Sequence, residues 1–269
     1  MALHRLTPPW LLALGSAPPP ARIEQAGASY TLERVFKHDF WAFTALYRSV
    51  DPASREPWLV LKIARRTRLF GLPLGWIGRL LARHECLVYE RLAGSEVLPR
   101  FTGRHGSHGV THAYVPGRLL RRAHPAPDGF FACLSAGLEG VHRRGVACLD
   151  LSKFDNVLIG EDGRPYLFDL QIAWYWPAKW GGDLAPMTWI RRLLQRSDRY
   201  HLAKLWRRTR PDQIPPEELA VSWRPPWSIR LHKALTSPLQ WVRRGLLQRI
   251  DPVPRPSEHG RGHVSPDEL

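Results

Sequence analysis

A short polar loop followed by a hairpin pattern is the feature of this sequence that most constrains its fold. Asp150 stands six residues before Asn156, and two short apolar runs, 157–159 and 166–168, follow with a Glu-Asp-Gly turn between them. Apolar runs joined by a turn that contains glycine predict a β-hairpin. Because a hairpin returns the chain to its starting end, we expect Asp150, Asn156 and Asp169 to lie together at one end of a small sheet.

The first half of the chain is patterned mainly as strands. Residues 30–36 and 43–49 predict a hairpin, and residues 58–64 form the strongest strand pattern, with Lys62 in its middle. A further strand is predicted at 110–115. The order of the elements along the chain is strands, one helix, strands and then mostly helices, which predicts the α+β class.

Two helices are predicted at 77–92 and 129–142, because apolar residues recur there at spacings of three and four. Glu85 lies on the apolar face of the first helix. A carboxylate in that position needs a cationic partner, since burying an unpaired charge is costly.

The composition describes a globular chain with room for a sizeable core, since 44% of its 269 residues are hydrophobic. Three cysteines without paired metal-ligand spacing favour neither a disulfide framework nor a zinc site, and they fit a reducing, cytoplasmic compartment. Residues 1–28 are interpreted as a flexible N-terminal arm and residues 251–269 as a disordered tail. No window approaches 18 uninterrupted apolar residues, so no membrane-spanning helix is predicted.

Positive charge is concentrated towards the C-terminus. The formal net charge is +15, and residues 186–251 hold 14 Lys or Arg against 5 Asp or Glu. Eight of the 12 tryptophans lie from Trp174 onward. Basic side chains beside tryptophan suit an anionic membrane surface, or a phosphorylated or nucleic-acid partner, and a solvated basic face is the alternative.

The polar residues of the loop and hairpin are those that phosphoryl transfer requires. Such a reaction needs a carboxylate that orients or deprotonates the acceptor hydroxyl, and oxygen ligands that hold Mg²⁺ on the phosphates. Asp150, Asn156 and Asp169 supply that set. The alternative is that these are ordinary turn residues, although the loop and the hairpin together favour the catalytic interpretation.

Residues 30–205 resemble the protein-kinase-like superfamily, in particular its compact bacterial branch of lipopolysaccharide core kinases and RIO-type kinases. The resemblance implies a two-lobe fold, with a small antiparallel-sheet N-lobe (29–112), a hinge (112–117) and a mostly helical C-lobe (118–250). It implies ATP and Mg²⁺ as cofactors. It also implies transfer of the γ-phosphoryl group to a hydroxyl acceptor, either an envelope glycolipid sugar or a protein Ser/Thr.

The resemblance assigns a role to each candidate residue. Asp150 and Lys153 match the catalytic positions, and Asn156 and Asp169 match the metal ligands. For ATP binding, the resemblance implies an ion pair between Lys62 and Glu85 at the phosphates, and Glu90 is a weaker candidate for the glutamate of this pair. It also implies backbone contacts with adenine at Tyr114 and Val115. Lys37 is expected to supply positive charge near the phosphates.

Three departures from the family pattern stand out. The turn at 37–42 has no glycine, and Cys148-Leu149 replaces the usual His-Arg before Asp150. Third, Asn156 and Lys153 each stand one position further from Asp150 than in typical protein kinases, and Gln171 stands where the metal triplet usually ends in glycine. Regulation through a phosphorylated activation loop is therefore not expected. Two hypotheses compete with this one. The first is a pseudokinase that binds a nucleotide or a partner without turnover, and the second is a small-molecule phosphotransferase of the aminoglycoside or choline kind. A nucleic-acid partner is disfavoured.

Residues 223–250 predict an amphipathic basic helix that is interrupted at Pro238. Docking on an anionic membrane surface and packing as the final helices of the larger lobe are both compatible with this pattern. The chain is accordingly expected to be cytoplasmic. If residues 223–250 dock on a membrane, the expected position is peripheral, on the inner face of the cell membrane.

Overall fold

The computed structural model describes residues 8–68, 72–122, 124–227 and 229. Most of the predicted amphipathic helix at 223–250 and all of the predicted tail at 251–269 lie outside the described residues. The chain divides into two compact units, the first made of the described parts of Met1–Gly94 and Pro99–Val115, and the second of those of Ser95–Leu98 and Pro116–Leu269.

In its described residues, the first unit is an antiparallel sheet of six strands in the order β1-β2-β3-β4-β6-β5, with one α-helix, α1. The strands are Arg22–Gln25 (β1), Ala28–His38 (β2), Ala42–Ser49 (β3), Trp58–Ala64 (β4), Phe101–His105 (β5) and Gly109–Ala113 (β6), and α1 spans Gly75–Arg91. The predicted hairpin of β2 and β3, the strand β4 and the helix α1 are confirmed.

Strand β4 shows how the sequence builds this unit. Leu59, Leu61 and Ile63 are almost completely buried and belong to one core cluster with Phe43 of β3. Since successive side chains of a strand point to opposite faces, this alternation places Lys62 on the other face of the sheet.

The N-terminal segment corrects one prediction. Residues 8–28 are not a flexible arm, because Ala13 and Leu14 are buried and β1 pairs with β2 at the edge of the sheet. The backbone of Ala13 donates to Asp39 O at 2.7 Å and accepts from Arg66 N at 2.9 Å. The folded unit therefore begins well before residue 29.

The buried Arg65 is a second reason why this segment is ordered. The residue is 1% exposed, and its guanidinium donates to the carbonyl oxygens of Trp10 at 2.7 Å and Phe40 at 2.9 Å. Burying a guanidinium requires such acceptors, and the N-terminal segment supplies one of them.

The described residues of the second unit combine a three-stranded antiparallel sheet with three α-helices. The strands are Gly117–Leu119 (β7), Val157–Gly160 (β8) and Pro165–Leu167 (β9), in the order β7-β8-β9. The helices are Phe130–Arg143 (α2), Ala185–Thr209 (α3) and Pro216–Trp223 (α4). The β8–β9 hairpin and the helix α2 are confirmed, and so is the α+β class for the described residues.

Helices α2 and α3 share an apolar contact in the second unit. The rings of Phe131 and Trp206 stack with centroids 5.6 Å apart, and Leu134, Leu138 and Val141 of α2 are buried, as the spacing predicts. Within the described part of the chain, no helix is both long and apolar enough to cross a bilayer.

Candidate active site

A buried ion pair joins β4 and α1 in the first unit. Lys62 Nζ lies 2.9 Å from Glu85 Oε1, and the side chains are 13% and 4% exposed. The cationic partner expected for Glu85 is therefore Lys62, whereas Glu90 is exposed. Low exposure keeps water from screening the pair, so the ammonium of Lys62 is held at a defined position.

Removing either member of this pair is expected to destabilise the first unit by about 3 kcal/mol, because a buried charge is left without its partner. Lys62→Met combined with Glu85→Gln is expected to cost little more than either single change, a strongly non-additive result in a double-mutant cycle measured by urea unfolding. The more exposed Lys37–Asp39 pair, with side chains 61% and 33% exposed, is the control and is expected to show much weaker coupling. Additive losses at Lys62 and Glu85 would show that the pair is energetically unimportant.

The glycine-free turn between β2 and β3 is closed by Asp39. Its carboxylate accepts from Trp41 N and Ala42 N, both at 2.9 Å, and pairs with Lys37 Nζ at 2.8 Å. Burial raises the pKa of Asp39, but the charge of Lys37 and these hydrogen bonds outweigh burial and leave the pKa below its ordinary value. Asp39 thus builds the turn without glycine, and Lys37 is exposed at it while remaining tethered.

The residues predicted to meet adenine follow β6. Tyr114 N donates to Trp58 O at 3.3 Å, its ring stacks on Phe36 at 6.3 Å, and Val115 is the last residue of the first unit. The adjacent His112 is buried and donates from Nδ1 to Ala113 O. Desolvation lowers the pKa of His112 to about 4, so its imidazole is neutral at physiological pH.

In the second unit, the predicted catalytic loop closes on itself. Lys153 Nζ donates to Asp150 Oδ2 at 2.8 Å, and Asn156 Nδ2 donates to the backbone oxygen of Asp150 at 2.9 Å. Asp150, Lys153 and Asn156 are thus brought together in one loop. The Asp150 side chain is 15% exposed, so its carboxylate is partly shielded yet reachable from solvent.

Asp169 lies at the same end of the hairpin as Asn156. Phe168 N donates to Asn156 O at 3.0 Å, and Val157 is opposite Leu167 in the β8–β9 register. Asp169 adopts a φ of 61°, in the left-handed region that Asp and Asn tolerate better than most residues. The predicted juxtaposition of Asp150, Asn156 and Asp169 at one end of the small sheet is therefore what this unit shows.

This donor set fits Mg²⁺. Magnesium is usually held by one or two carboxylates together with substrate phosphates and water. Asp169 offers a carboxylate. Asn156 offers Oδ1, since its Nδ2 is already donated to Asp150.

Asp198 on α3 is a site residue that the sequence analysis missed. Its fully buried carboxylate accepts from Cys148 N at 2.7 Å, Leu149 N at 2.8 Å and His142 Nε2 at 3.0 Å. These bonds fix the backbone immediately before Asp150, where Leu149 has a φ of 66°. A signal was present: Asp198 lies four and seven residues before the buried Leu202 and Leu205, on the apolar side of its helix.

Cys148 also precedes Asp150, but its thiol is unsuited to catalysis. Burial, reinforced by the nearby charge of Asp198, raises the pKa of Cys148 well above its ordinary value. The thiol therefore stays neutral and does not act as a nucleophile at physiological pH.

No protein-family model matches the chain, and no curated protein matches it. The functional proposal is accordingly supported by the site geometry and by the motifs described above.

Proposed function

We propose that this protein is a kinase-like, ATP-dependent phosphotransferase that moves the γ-phosphoryl group of ATP to a hydroxyl acceptor and requires Mg²⁺. The observation that carries the proposal is the arrangement of the second unit, in which Asp150, Lys153 and Asn156 close one loop and the β8–β9 hairpin returns Asp169 beside it. Phosphoryl transfer relies mainly on positioning and on charge complementarity, and these residue types supply both.

Asp150 acts as the base in this proposal. The acceptor hydroxyl oxygen attacks the γ-phosphorus and its proton passes to the Asp150 carboxylate. The bond from the γ-phosphorus to the bridging oxygen breaks, and ADP leaves with that electron pair. Lys153, 2.8 Å from Asp150, supplies positive charge for the phosphoryl oxygens during transfer.

Asn156 and Asp169 would hold Mg²⁺, which when bound neutralises charge on the phosphates. Lys62, fixed by Glu85, offers a phosphate a positioned cation, and the tethered Lys37 offers a more mobile one. These roles follow the resemblance to the kinase-like superfamily, and the proposed two-lobe fold follows it as well.

The acceptor is proposed to be either an envelope glycolipid sugar or a protein Ser/Thr. Incubating the protein with ATP labelled at the γ-position and with separated envelope and cytosol fractions identifies the fraction that takes the label. Label that enters the lipid extract supports the glycolipid, whereas label in protein supports Ser/Thr. No magnesium-dependent transfer to either fraction would contradict the proposed activity.

Asp169→Asn is expected to weaken magnesium-dependent ATP binding by about tenfold or more, because a hard cation loses its charged ligand. Asparagine suits the left-handed backbone at this position, so the change removes the charge and little else. The measurement is calorimetric titration of ATP with and without Mg²⁺. Asp162→Asn, in the turn of the same hairpin, is the matched control and should bind like the unaltered protein; equal affinities for both variants would remove Asp169 from the metal site.

A further inference from the structure

The second unit carries an apolar surface that phosphoryl transfer does not explain. Trp176, Trp180, Leu184 and Trp189 are 45%, 53%, 64% and 58% exposed, and together they define the tryptophan surface. Large apolar side chains clustered on a surface usually mark an interaction site. All four lie within 21 residues after Asp169.

The turn between Trp176 and Leu184 holds these side chains in place. Trp176 Nε1 donates to Trp180 O at 2.7 Å, and Leu184 N donates to Gly181 O at 3.0 Å. Gly182 packs so closely that an added Cβ would lie 2.0 Å from Trp176 O. The indoles are therefore displayed by a tightly bonded turn.

Helix α3 contributes Trp189, which lies one turn after the first residue of the helix, Ala185. The ring of Trp189 lies 6.4 Å from that of Trp227, which is also exposed. Both rings nevertheless keep about half of their surface in solvent, so this contact does not cover the patch.

Basic side chains accompany the tryptophans. Lys179 Nζ lies 5.2 Å from the centroid of the Trp180 ring, and Arg191 and Arg192 lie two and three residues after Trp189. The nearby acid, Asp183, lies 3.8 Å from Arg191. Exposed tryptophan beside cations that outnumber the nearby acid matches the chemistry of an anionic bilayer surface, where indoles enter the headgroup layer and cations meet lipid phosphates.

The chain's own C-terminal segment is the competing occupant, because the described residues end at Ile229, close to Trp227. Residues 230–250 contain five Lys or Arg and no Asp or Glu. Docking this segment on the tryptophan surface would bring like charges together, whereas an anionic bilayer complements both. We propose that the tryptophan surface binds the full-length protein to anionic lipid bilayers, independently of the phosphotransferase activity.

The test is co-sedimentation of the full-length protein with vesicles of phosphatidylcholine alone or mixed with phosphatidylglycerol. Binding is expected to require the anionic lipid and to fall at high salt. Trp176→Ser combined with Trp180→Ser is expected to weaken binding by about tenfold or more, since less apolar surface enters the bilayer. The matched control is Trp41→Ser in the first unit, where the side chain is 46% exposed, and it should bind normally.

Two further variants keep the test decisive even where the double tryptophan change impairs folding. Lys179→Glu with Arg192→Glu alters exposed charges alone and is expected to remove most of the binding at low salt. A chain that ends at Ile229 is expected to keep its binding. The proposal would be overturned by unchanged binding of the charge-reversed protein or by loss of binding on truncation. Binding that is gained only after truncation would also overturn it, and would show that residues 230–269 cover the surface.

Discussion

Asp150→Asn is expected to slow phosphoryl transfer by about 10²- to 10⁴-fold while leaving ATP affinity nearly unchanged. A general base acts on the acceptor hydroxyl in the transition state and contributes little to the ground-state binding of nucleotide. Asparagine keeps an oxygen that accepts from Lys153 and does not disturb the bond between Asn156 and the Asp150 backbone. The change therefore removes proton acceptance and preserves the loop.

Two measurements are needed, the rate of label transfer to the responsive cell fraction and the affinity for Mg²⁺-ATP. Asp155→Asn is the matched control, because Asp155 lies in the same loop, is 37% exposed and is 3.7 Å from Arg121. We expect that control to retain its transfer rate. A rate for Asp150→Asn within a few-fold of the unaltered protein would exclude Asp150 as the base.

The same experiment separates the proposed enzyme from the pseudokinase hypothesis. An unaltered protein that binds Mg²⁺-ATP but shows no transfer dependent on Asp150 would favour a nucleotide-binding module. The enzyme proposal is argued from the Lys62–Glu85 pair and the closed Asp150 loop.

The elements predicted correctly are those specified by local patterns. The continuous apolar run of β4 and the three- and four-residue spacing of α2 are patterns that short segments carry by themselves. The β8–β9 hairpin is equally local, since a short turn joins its strands. For the same reason, the loop that contains Asp150 and Asn156 could be predicted from spacing alone.

The N-terminal segment could not be predicted in this way. Its prolines and short apolar run are typical of a loose arm, and nothing nearby in sequence indicates partners for it. The partners are Asp39, Arg65 and Arg66, which become neighbours of residues 10–13 only after the sheet has formed. Order in this segment is therefore a consequence of tertiary contacts.

Asp198 illustrates the same limit within the candidate site. It lies 50 residues after Cys148, from whose backbone amide its carboxylate accepts a hydrogen bond. Its sequence neighbours are Ser197 and Arg199, which suggest a solvated helix face. Its spacing to Leu202 indicates burial, as the spacing of Glu85 does on α1. Spacing alone, however, does not specify which donors a buried carboxylate meets.

Asp198→Ala is expected to lower the free energy of unfolding of the second unit by about 3 kcal/mol and to reduce the transfer rate by at least about tenfold. Three donors lose their acceptor, among them the backbone amides of Cys148 and Leu149. Buried amides without acceptors lower the stability of the folded unit. Relaxation of the backbone at Leu149, which has a left-handed conformation, would also shift Asp150. Small displacements of a catalytic group reduce the reaction rate strongly, so the transfer rate is expected to fall.

The measurements are urea unfolding and steady-state transfer rates at a temperature where the variant remains folded. Asp183→Ala is the control, because that carboxylate lies just before α3, is 75% exposed and is 3.8 Å from Arg191 Nη1. A positioning role predicts a lower kcat with an unchanged KM for ATP, whereas a purely structural role predicts lower stability with normal kcat in the folded fraction. Normal stability together with normal kcat would show that the three hydrogen bonds to Asp198 do not hold the catalytic loop.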